Sequence, residues 1–377
     1  MKRDGGLQRV ELPLSAPAAR ERSPMSIVEP VARLCESVYL PPETAIGWTL
    51  ESLLGGLACR YFSYGRRALA EALRLAGVGT GDAVTLPAFI CRDVLAAVHA
   101  RGAVARFYQV GADLNLAGPA TSLPPCAAVI AVNYFGFPQE LTPFQDYCRQ
   151  TGAVLIEDNA HGLFSRDSSG RFLGTRGDLG IFSLRKTLPL PNGAALVLNG
   201  GDFPLGPQQP FDSGFLPLRY HLKQFARRAA PVVGSRNLHR LLRLIRWWKQ
   251  RAAAGSATKG NKDEQSLPEP AYPCAALSRP LTTDIGQETV RRRALYVWVA
   301  EKLREAGLSV TPVFASLPDT VVPYGYPFYA DHVTFPKVQA VLGASGLDCV
   351  TWPDLPEAVR ANAPIHYKTL RFVPFLW

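Results

Sequence analysis

Residues 127–162, AAVIAVNYFGFPQELTPFQDYCRQTGAVLIEDNAHG, carry the pattern that decides the fold. An apolar run at 127–132 is followed by helix-like spacing at 140–150 and by a second apolar run at 153–157. Short apolar runs that alternate with helical segments are typical of parallel strands joined by crossover helices. The segment therefore predicts a strand–helix–strand unit.

The same alternation continues on both sides of this unit. Helix-like stretches begin at Gly65 (GRRALAEALRLAGV) and occupy 88–101 (AFICRDVLAAVHAR). Further apolar runs lie at 83–87, 104–108, 180–183 and 194–198. We predict an α/β fold whose mostly parallel sheet is covered by helices, with ligands at the carboxyl ends of the strands.

The length of 377 residues exceeds one average core and predicts more than one domain. The hydrophobic content of 47% and charged content of 19% are typical of a soluble globular protein. We predict a loose tail over 1–25, a large domain over 26–218, a basic helical segment with linkers over 219–280, and a smaller α+β domain over 281–377.

The formal net charge of +10 is local, because residues 219–251 contain ten Lys and Arg and no acidic residue. We favour a helix that packs its leucines on the large domain and exposes its arginines, with attraction of an anionic substrate next. Contact with an anionic membrane surface is a less favoured alternative. Nucleic acid is not expected, since the charge is confined to one segment without a reading motif.

Targeting and redox features are sparse. The N-terminus lacks an apolar signal region, and no apolar run is long enough to cross a bilayer, so we expect a cytoplasmic protein. The seven cysteines are scattered and contain no CxxC pair. Neither a disulfide framework nor a metal site is expected.

The segment AVLIEDNAHG brings Asp158 and His161 to the end of an apolar strand. A buried carboxylate at such a position can keep the pyridine nitrogen of pyridoxal phosphate protonated, which makes the ring an electron sink. An aspartate that caps a following helix is the alternative interpretation.

The segment GIFSLRK brings Lys186 to the end of a second strand. Lys186 is the only lysine between Lys2 and Lys223 in a chain of nine lysines and 32 arginines. A lysine amine in a desolvated pocket can lose its proton and form a Schiff base, whereas a guanidinium stays charged. We predict that Lys186 binds pyridoxal phosphate covalently; a solvated loop lysine is the alternative.

A phosphate cradle is predicted where Gly65 opens a helix. Free backbone amides and the positive end of the helix favour an anion there, and the hydroxyl of Ser183 could join them. Arg66 could clamp the same anion or simply face solvent.

Four sequence pieces occur with matching order and spacing: GVGTGDAVTLPAF at 77–89, VNYFGFP at 132–138, IEDNAHG at 156–162 and GTRGDLGIFSLRK at 174–186. Together they resemble the DegT/DnrJ/EryC1/StrS family. The resemblance implies the aspartate-aminotransferase type of fold (fold type I), pyridoxal 5'-phosphate as cofactor, and transamination of keto sugars on nucleotide carriers. It also implies a homodimer and glutamate as amino donor.

The resemblance implies a role for each matched position. Lys186 is the Schiff-base lysine, Asp158 the partner of the pyridine nitrogen, and His161 a contact of the ring-hydroxyl face. The remaining implied cofactor contacts are Gly65, Arg66 and Ser183 at the phosphate and Phe89 in place of an aromatic ring that the family places near Cys91.

The sequence departs from the family pattern at the substrate side and in two loops. The segment between the Phe-Ser pair and Lys186 is about two residues shorter, and Arg66 replaces a threonine of the phosphate turn. Residues 191–193, PNG, replace a Glu-Gly-Gly motif, and the N-terminal 60 residues do not match.

We interpret the chain as an aminotransferase that acts on a keto sugar or similar small carbonyl compound. A dehydratase or eliminase is a less favoured alternative, because relatives with that activity replace the lysine by histidine. A non-catalytic, membrane-associated accessory protein is the other alternative. The triplet Arg291–Arg293 is expected at the surface.

Overall fold

The computed structural model describes residues 47–212, 262–345 and 347–375. The predicted tail over 1–25 and the basic segment over 219–251 lie outside the described residues. The elements of the first described part are α1 Leu50–Leu53, β1 Cys59–Phe62, α2 Gly65–Leu75, β2 Ala83–Pro87, α3 Leu95–His99, β3 Val104–Tyr108, β4 Ala128–Val132, α4 Thr142–Thr151, β5 Val154–Asn159, β6 Leu179–Phe182 and β7 Ala194–Leu198.

These seven strands form one sheet in the order β1-β7-β6-β5-β4-β2-β3. The pairs from β3 to β6 are parallel, whereas β7 is antiparallel to both β6 and β1. The predicted mostly parallel sheet is therefore confirmed, with antiparallel pairing at one edge.

The central strands are buried on both faces, which explains their unbroken apolar sequence. All five residues of β4, AVIAV, are buried. Helix α4 begins with Pro143 in its first turn and ends at Gly152, whose φ of 76° is the left-handed conformation that glycine adopts readily. The strand–helix–strand unit predicted over 127–162 is present.

The second described part contains a smaller, fully antiparallel sheet in the order β10-β11-β9-β8. Its elements are α5 Lys262–Gln265, α6 Ile285–Glu305, β8 Thr311–Pro312, β9 Gly325–Tyr329, α7 Thr334–Ala344, β10 Val350–Thr351, α8 Glu357–Arg360, α9 Ile365–Thr369 and β11 Leu370–Pro374. This sheet and the long helix α6 give the α+β character predicted for the C-terminal region.

The two sheets share one continuous hydrophobic core. Phe137, which follows β4, stacks on Phe314 with ring centroids 3.7 Å apart, and it also contacts Tyr296 of α6. Burial of aromatic rings across this junction fixes the C-terminal part against the large sheet.

The expected surface position of the arginine triplet is wrong for two of its members. Arg291 and Arg292 are each only 1% exposed, because the carboxylate of Glu288 lies between them on α6. Arg293 is partly exposed and pairs with Asp319. Charged side chains are buried here because they are paired.

The register of β5 and β6 positions the candidate site. Asp158 is opposite Ile181, and Asn159 is opposite Phe182, so both strands end at the same edge. Asp158 is the penultimate residue of β5, and Ser183 directly follows β6. The carboxyl edge of the sheet thus gathers the residues that the sequence singled out.

Candidate active site

Lys186 and His161 meet at this edge. Lys186 ends a short 3-10 turn, Leu184–Lys186, that follows β6 and Ser183. Its Nζ lies 3.0 Å from Nε2 of His161, within hydrogen-bonding distance. The structure therefore brings together two residues that the sequence had placed on separate strand ends.

The backbone fixes the proton position on His161. The amide of Phe135 donates to Nδ1 of His161 at 3.3 Å. Phe135 has a φ of 55°, a conformation unusual for a bulky residue, in the turn after β4. Because Nδ1 accepts this bond, the neutral imidazole carries its proton on Nε2.

This tautomer defines the state of Lys186. Nε2–H can donate only to a lone pair, and Nζ has a lone pair only as a neutral amine. Burial lowers the pKa of Lys186 below its ordinary value, although Asp158 opposes the effect, and Arg185 lowers the pKa further. Burial also holds the pKa of His161 well below its ordinary value. Both effects favour the uncharged pair.

Asp158 provides the acidic group of the site. Burial raises the pKa of its carboxyl group, while Lys186 and a hydrogen bond from the amide of Ala160 at 2.9 Å act in the opposite direction. Asp158 and Lys186 both retain some exposure at the end of buried strands. Both side chains are therefore partly exposed at this edge of the sheet.

The turn predicted to hold a phosphate lies at the start of α2. Tyr64 is the N-cap and makes no side-chain cap bond, and the amides of Gly65 and Arg66 have no acceptor within the described residues. A β-carbon built on Gly65 would lie 4.0 Å from the β-carbon of Ser183. Ser183 is 6% exposed, and its hydroxyl has no hydrogen-bond partner in the described part of the chain. Unpaired amides beside an unpaired hydroxyl suit an anion.

The side chain of Arg66 is engaged elsewhere. Its guanidinium lies 3.5 Å from the carboxylate of Asp93. The backbone amide of Arg66 remains in the turn, but its charge is already partnered. This geometry weakens the expectation that the Arg66 guanidinium clamps an anion.

The structure contradicts the expected role of Phe89 as a ring that stacks on a cofactor. Phe89 is completely buried and packs against Tyr134, Trp352 and Tyr367, with ring centroids 4.8 to 5.8 Å apart. A ring without accessible surface offers no face to a ligand. Phe89 is a core residue.

Two aromatic residues that the sequence did not indicate lie beside His161. Tyr324 stacks on its imidazole with centroids 4.4 Å apart and an interplanar angle of 1°, and Trp352 meets it edge-on at 5.5 Å. Both come from the C-terminal part, more than 160 residues away along the chain. The four sequence pieces that indicated the site all lie before residue 187, so they could not point to Tyr324 or Trp352.

The loop that contains Lys186 is hydrogen-bonded to Arg292, one of the two buried arginines of α6. Arg292 donates to the carbonyl of Thr187 at 3.4 Å and to the carbonyl of Pro323 at 3.3 Å. Pro323 directly precedes Tyr324, which stacks on His161. The Glu288–Arg292 pair therefore connects both sides of the site.

The residues present fit pyridoxal phosphate. The amine of Lys186 is within reach of a general acid–base partner, Asp158 is a buried carboxylate at the same sheet edge, and the anion cradle has unpaired donors. These three features match the aldehyde, the ring nitrogen and the phosphate of that cofactor, respectively.

Comparison with known proteins supports the fold and the family. The architecture, a mostly parallel seven-stranded sheet with a smaller antiparallel sheet, is that of aspartate-aminotransferase-type α/β proteins. Residues 49–202 match the model of the DegT/DnrJ/EryC1/StrS aminotransferase family.

Two curated relatives illustrate the similarity. The dTDP-4-dehydro-2,3,6-trideoxy-D-glucose 4-aminotransferase of Saccharopolyspora spinosa is 34% identical over 127 residues, which are 33% of this chain and 33% of the relative. The L-glutamine:2-deoxy-scyllo-inosose aminotransferase of Streptomyces kanamyceticus is 31% identical over 141 residues, 36% of this chain and 32% of the relative. The chain spans about a third of the length of the curated relatives it matches.

Solved structures extend the similarity in fold to nearly the whole chain. The aminotransferase TlmJ from Streptoalloteichus hindustanus superposes with a TM-score of 0.55 over 92% of this chain and 89% of that chain, at 20% identity.

Among the described residues, no helix is long and apolar enough to cross a membrane. Residues 47–212, 262–345 and 347–375 also contain no group of three or more His, Cys, Asp or Glu that could hold a metal ion.

Proposed function

We propose that this chain is a pyridoxal-phosphate-dependent aminotransferase that transfers an amino group from an amino-acid donor to a keto sugar or a similar small carbonyl compound. The observation that carries the proposal is the contact of 3.0 Å between Lys186 Nζ and His161 Nε2, at the sheet edge that also holds Asp158. Glutamate is the donor that the family resemblance favours, and the name of one relative contains glutamine.

Each residue has a defined task in this proposal. When bound, pyridoxal phosphate supplies an electron sink that labilises bonds at the amino-bearing carbon. Lys186, as a neutral amine, is the nucleophile that holds the cofactor covalently. Asp158 faces the pyridine nitrogen and keeps a proton on it. The amides of Gly65 and Arg66 and the hydroxyl of Ser183 hold the phosphate.

Lys186 has a second task once the substrate amine has displaced it. The free amine of Lys186 would accept a proton from the amino-bearing carbon of the substrate as general base. As general acid it would then deliver that proton to the cofactor carbon. His161 keeps its Nε2–H directed at Lys186 Nζ, which orients the amine for both tasks. The stack with Tyr324 holds the imidazole plane in place.

Mixing the purified protein with pyridoxal phosphate and reducing with borohydride tests this function. We expect a visible absorption band whose reduction leaves a stable label on the peptide that contains Lys186. Lys186→Ala abolishes the label, while Lys302→Ala, which removes an exposed lysine of α6, leaves it unchanged. No band in the wild type, or a label on other lysines alone, would remove the proposal.

Donor half-reactions then distinguish transamination from elimination. Unreduced enzyme loaded with pyridoxal phosphate is mixed with glutamate or glutamine, and the loss of the visible band is followed together with the 2-oxo acid formed. Stoichiometric 2-oxo acid supports transamination, whereas release of water from a sugar without donor consumption supports the dehydratase alternative. The proposal includes a homodimer, as the family resemblance implies. Sedimentation of the full chain measures this oligomeric state directly.

A further inference from the structure

We infer that Arg185, the residue directly before Lys186, is the cationic ligand of the cofactor phosphate, and that it takes the role expected of Arg66. This inference rests on the proposed function, because it names a residue of the same cofactor site. It concerns a position for which neither the family pattern nor the comparisons imply a role.

The first observation is the position of the Arg185 guanidinium. Its Cζ lies over the ring of Tyr64, 5.3 Å from the centroid. Tyr64 is the N-cap of α2, and the unpaired amides of Gly65 and Arg66 follow it directly. The guanidinium is therefore beside the turn that binds the anion.

The second observation is that Arg185 lacks an anionic partner. It makes no ion pair within the described residues, and its Nε is buried without a hydrogen-bond partner there. The side chain is half-buried. A cation withdrawn from water without a counter-charge is costly, and an arriving phosphate would offset that cost. By contrast, Arg66 already has Asp93 as its counter-ion.

The third observation is the short loop. Lys186 follows Ser183 by only three residues, and the single turn Leu184–Lys186 fills that distance. The amide of Arg185 is fixed by a bond to the carbonyl of Gly193 at 3.2 Å. The turn places Ser183, Arg185 and Lys186 within one short stretch, so the shortened loop brings a guanidinium close to the phosphate turn.

A fourth observation supports this placement. The charge of Arg185 is close enough to lower the pKa of Lys186, and it also acts on Tyr324. The guanidinium, which lies over the ring of Tyr64, is therefore also near the amine of Lys186. A cofactor that joins these two points would meet it.

Affinities for pyridoxal phosphate and for pyridoxal, which lacks the phosphate, test the inference. A hydrogen bond to a charged group contributes about 1.5–3 kcal/mol, equal to about a tenfold to hundredfold change in affinity. We expect Arg185→Gln to raise the Kd for pyridoxal phosphate by at least about tenfold and to raise the Kd for pyridoxal by a much smaller factor. Arg185→Lys, which keeps the charge, restores part of the affinity.

Two further variants make the comparison specific. Arg74→Gln removes a cation from the far end of α2 and leaves both affinities unchanged, which controls for net charge. Arg66→Gln weakens binding of pyridoxal phosphate less than Arg185→Gln does. Thermal melting of each variant shows whether it is folded.

Three results would overturn the inference. Equal weakening of both ligands in Arg185→Gln would assign Arg185 to positioning of the lysine loop. A large loss in Arg66→Gln with none in Arg185→Gln would return the role to Arg66. If the wild type binds pyridoxal phosphate no better than pyridoxal, no phosphate ligand exists in this chain. Failure of the wild type to become labelled at Lys186 would instead refute the proposed function.

Discussion

Removing the carboxylate of Glu288 tests the part of the structure that joins the lysine loop to the C-terminal sheet. Glu288 accepts hydrogen bonds from Nη2 of Arg291 at 2.6 Å, from Nε of Arg291 at 2.8 Å and from Nε of Arg292 at 2.5 Å. All three side chains are 1% exposed. Glu288→Gln would keep the shape of the side chain and remove the carboxylate that pairs with both buried guanidiniums.

The expected loss follows from the removal of this buried carboxylate from its ion pairs. Breaking a buried ion pair on one side costs about 3–5 kcal/mol, and the remaining amide oxygen of glutamine can still accept one bond. We therefore expect Glu288→Gln to lower the free energy of unfolding by about 3 kcal/mol, a large share of the 5–15 kcal/mol that is ordinary for folded proteins.

Urea denaturation followed by tryptophan fluorescence measures this loss. Glu305→Gln on the same helix is the matched control, because Glu305 is half-exposed and pairs with Lys302 at 3.5 Å. Its effect should stay below about 0.5 kcal/mol. A loss of less than about 1 kcal/mol in Glu288→Gln would show that the buried cluster is not the connection described here.

The same variant has a predicted pH dependence. Burial acts to raise the pKa of Glu288, but Arg292 and Arg291 outweigh it and hold the pKa below its ordinary value. A lowered pKa stabilises the folded state above the unfolded-state pKa of about 4.3, and this stabilisation is lost as the pH falls through the folded-state pKa. The stability difference between wild type and variant should therefore be complete at neutral pH and shrink in acid.

Three further predictions concern the sheet, the start of α6 and the lysine. Gly180→Ala should cost at least about 3 kcal/mol in urea denaturation, because its β-carbon would lie 1.9 Å from the carbonyl oxygen of Gly174; Gly200→Ala, with open space around it, is the neutral control. Asp284→Ala should cost about 1 kcal/mol, since it removes the N-cap bond to the amide of Gln287. Covalent attachment of pyridoxal phosphate should reach half its maximal rate below pH 10.4 or so, because the lowered pKa of Lys186 makes the neutral amine available at lower pH. A midpoint at or above that pH would contradict it.

The strands of the large sheet could be predicted because parallel strands buried on both faces leave unbroken apolar runs. The runs at 83–87, 104–108 and 194–198 coincide with β2, β3 and β7. The edge strand Cys59–Phe62, with the sequence CRYF, was missed. Its partner lies more than 130 residues away, and no local pattern records that pairing.

Some residues of the candidate site could also be predicted from the sequence, whereas others could not. Asp158 and Lys186 could be predicted because each lies at or shortly after the end of an apolar run, where parallel sheets bind ligands. Tyr324 and Trp352 reach His161 through contacts that are long-range in sequence. Phe89 was misassigned because position along the chain does not report exposure.

The buried pair on α6 was misplaced for a physical reason. Arginines are normally exposed because an unpaired buried charge is costly, and this reasoning placed Arg291 and Arg292 at the surface. The signal that could have corrected it is Glu288, three and four residues before them on one helix face. A carboxylate spaced to meet two guanidiniums makes burial of all three possible.

The charges around Lys186 make attachment and anion binding interdependent. Before a ligand arrives, burial and the positive charge of Arg185 lower the pKa of Lys186, which favours the neutral amine that can attack a carbonyl. An anion held beside Arg185 would offset that positive charge, and the pKa of Lys186 would then rise. The amine released later in the reaction would be a stronger base than the amine that first bound the cofactor. Since coupling between two sites is reciprocal, protonation of Lys186 would in turn strengthen the hold on the anion. In our proposal one guanidinium thus serves both steps, and its location next to the lysine is what links them.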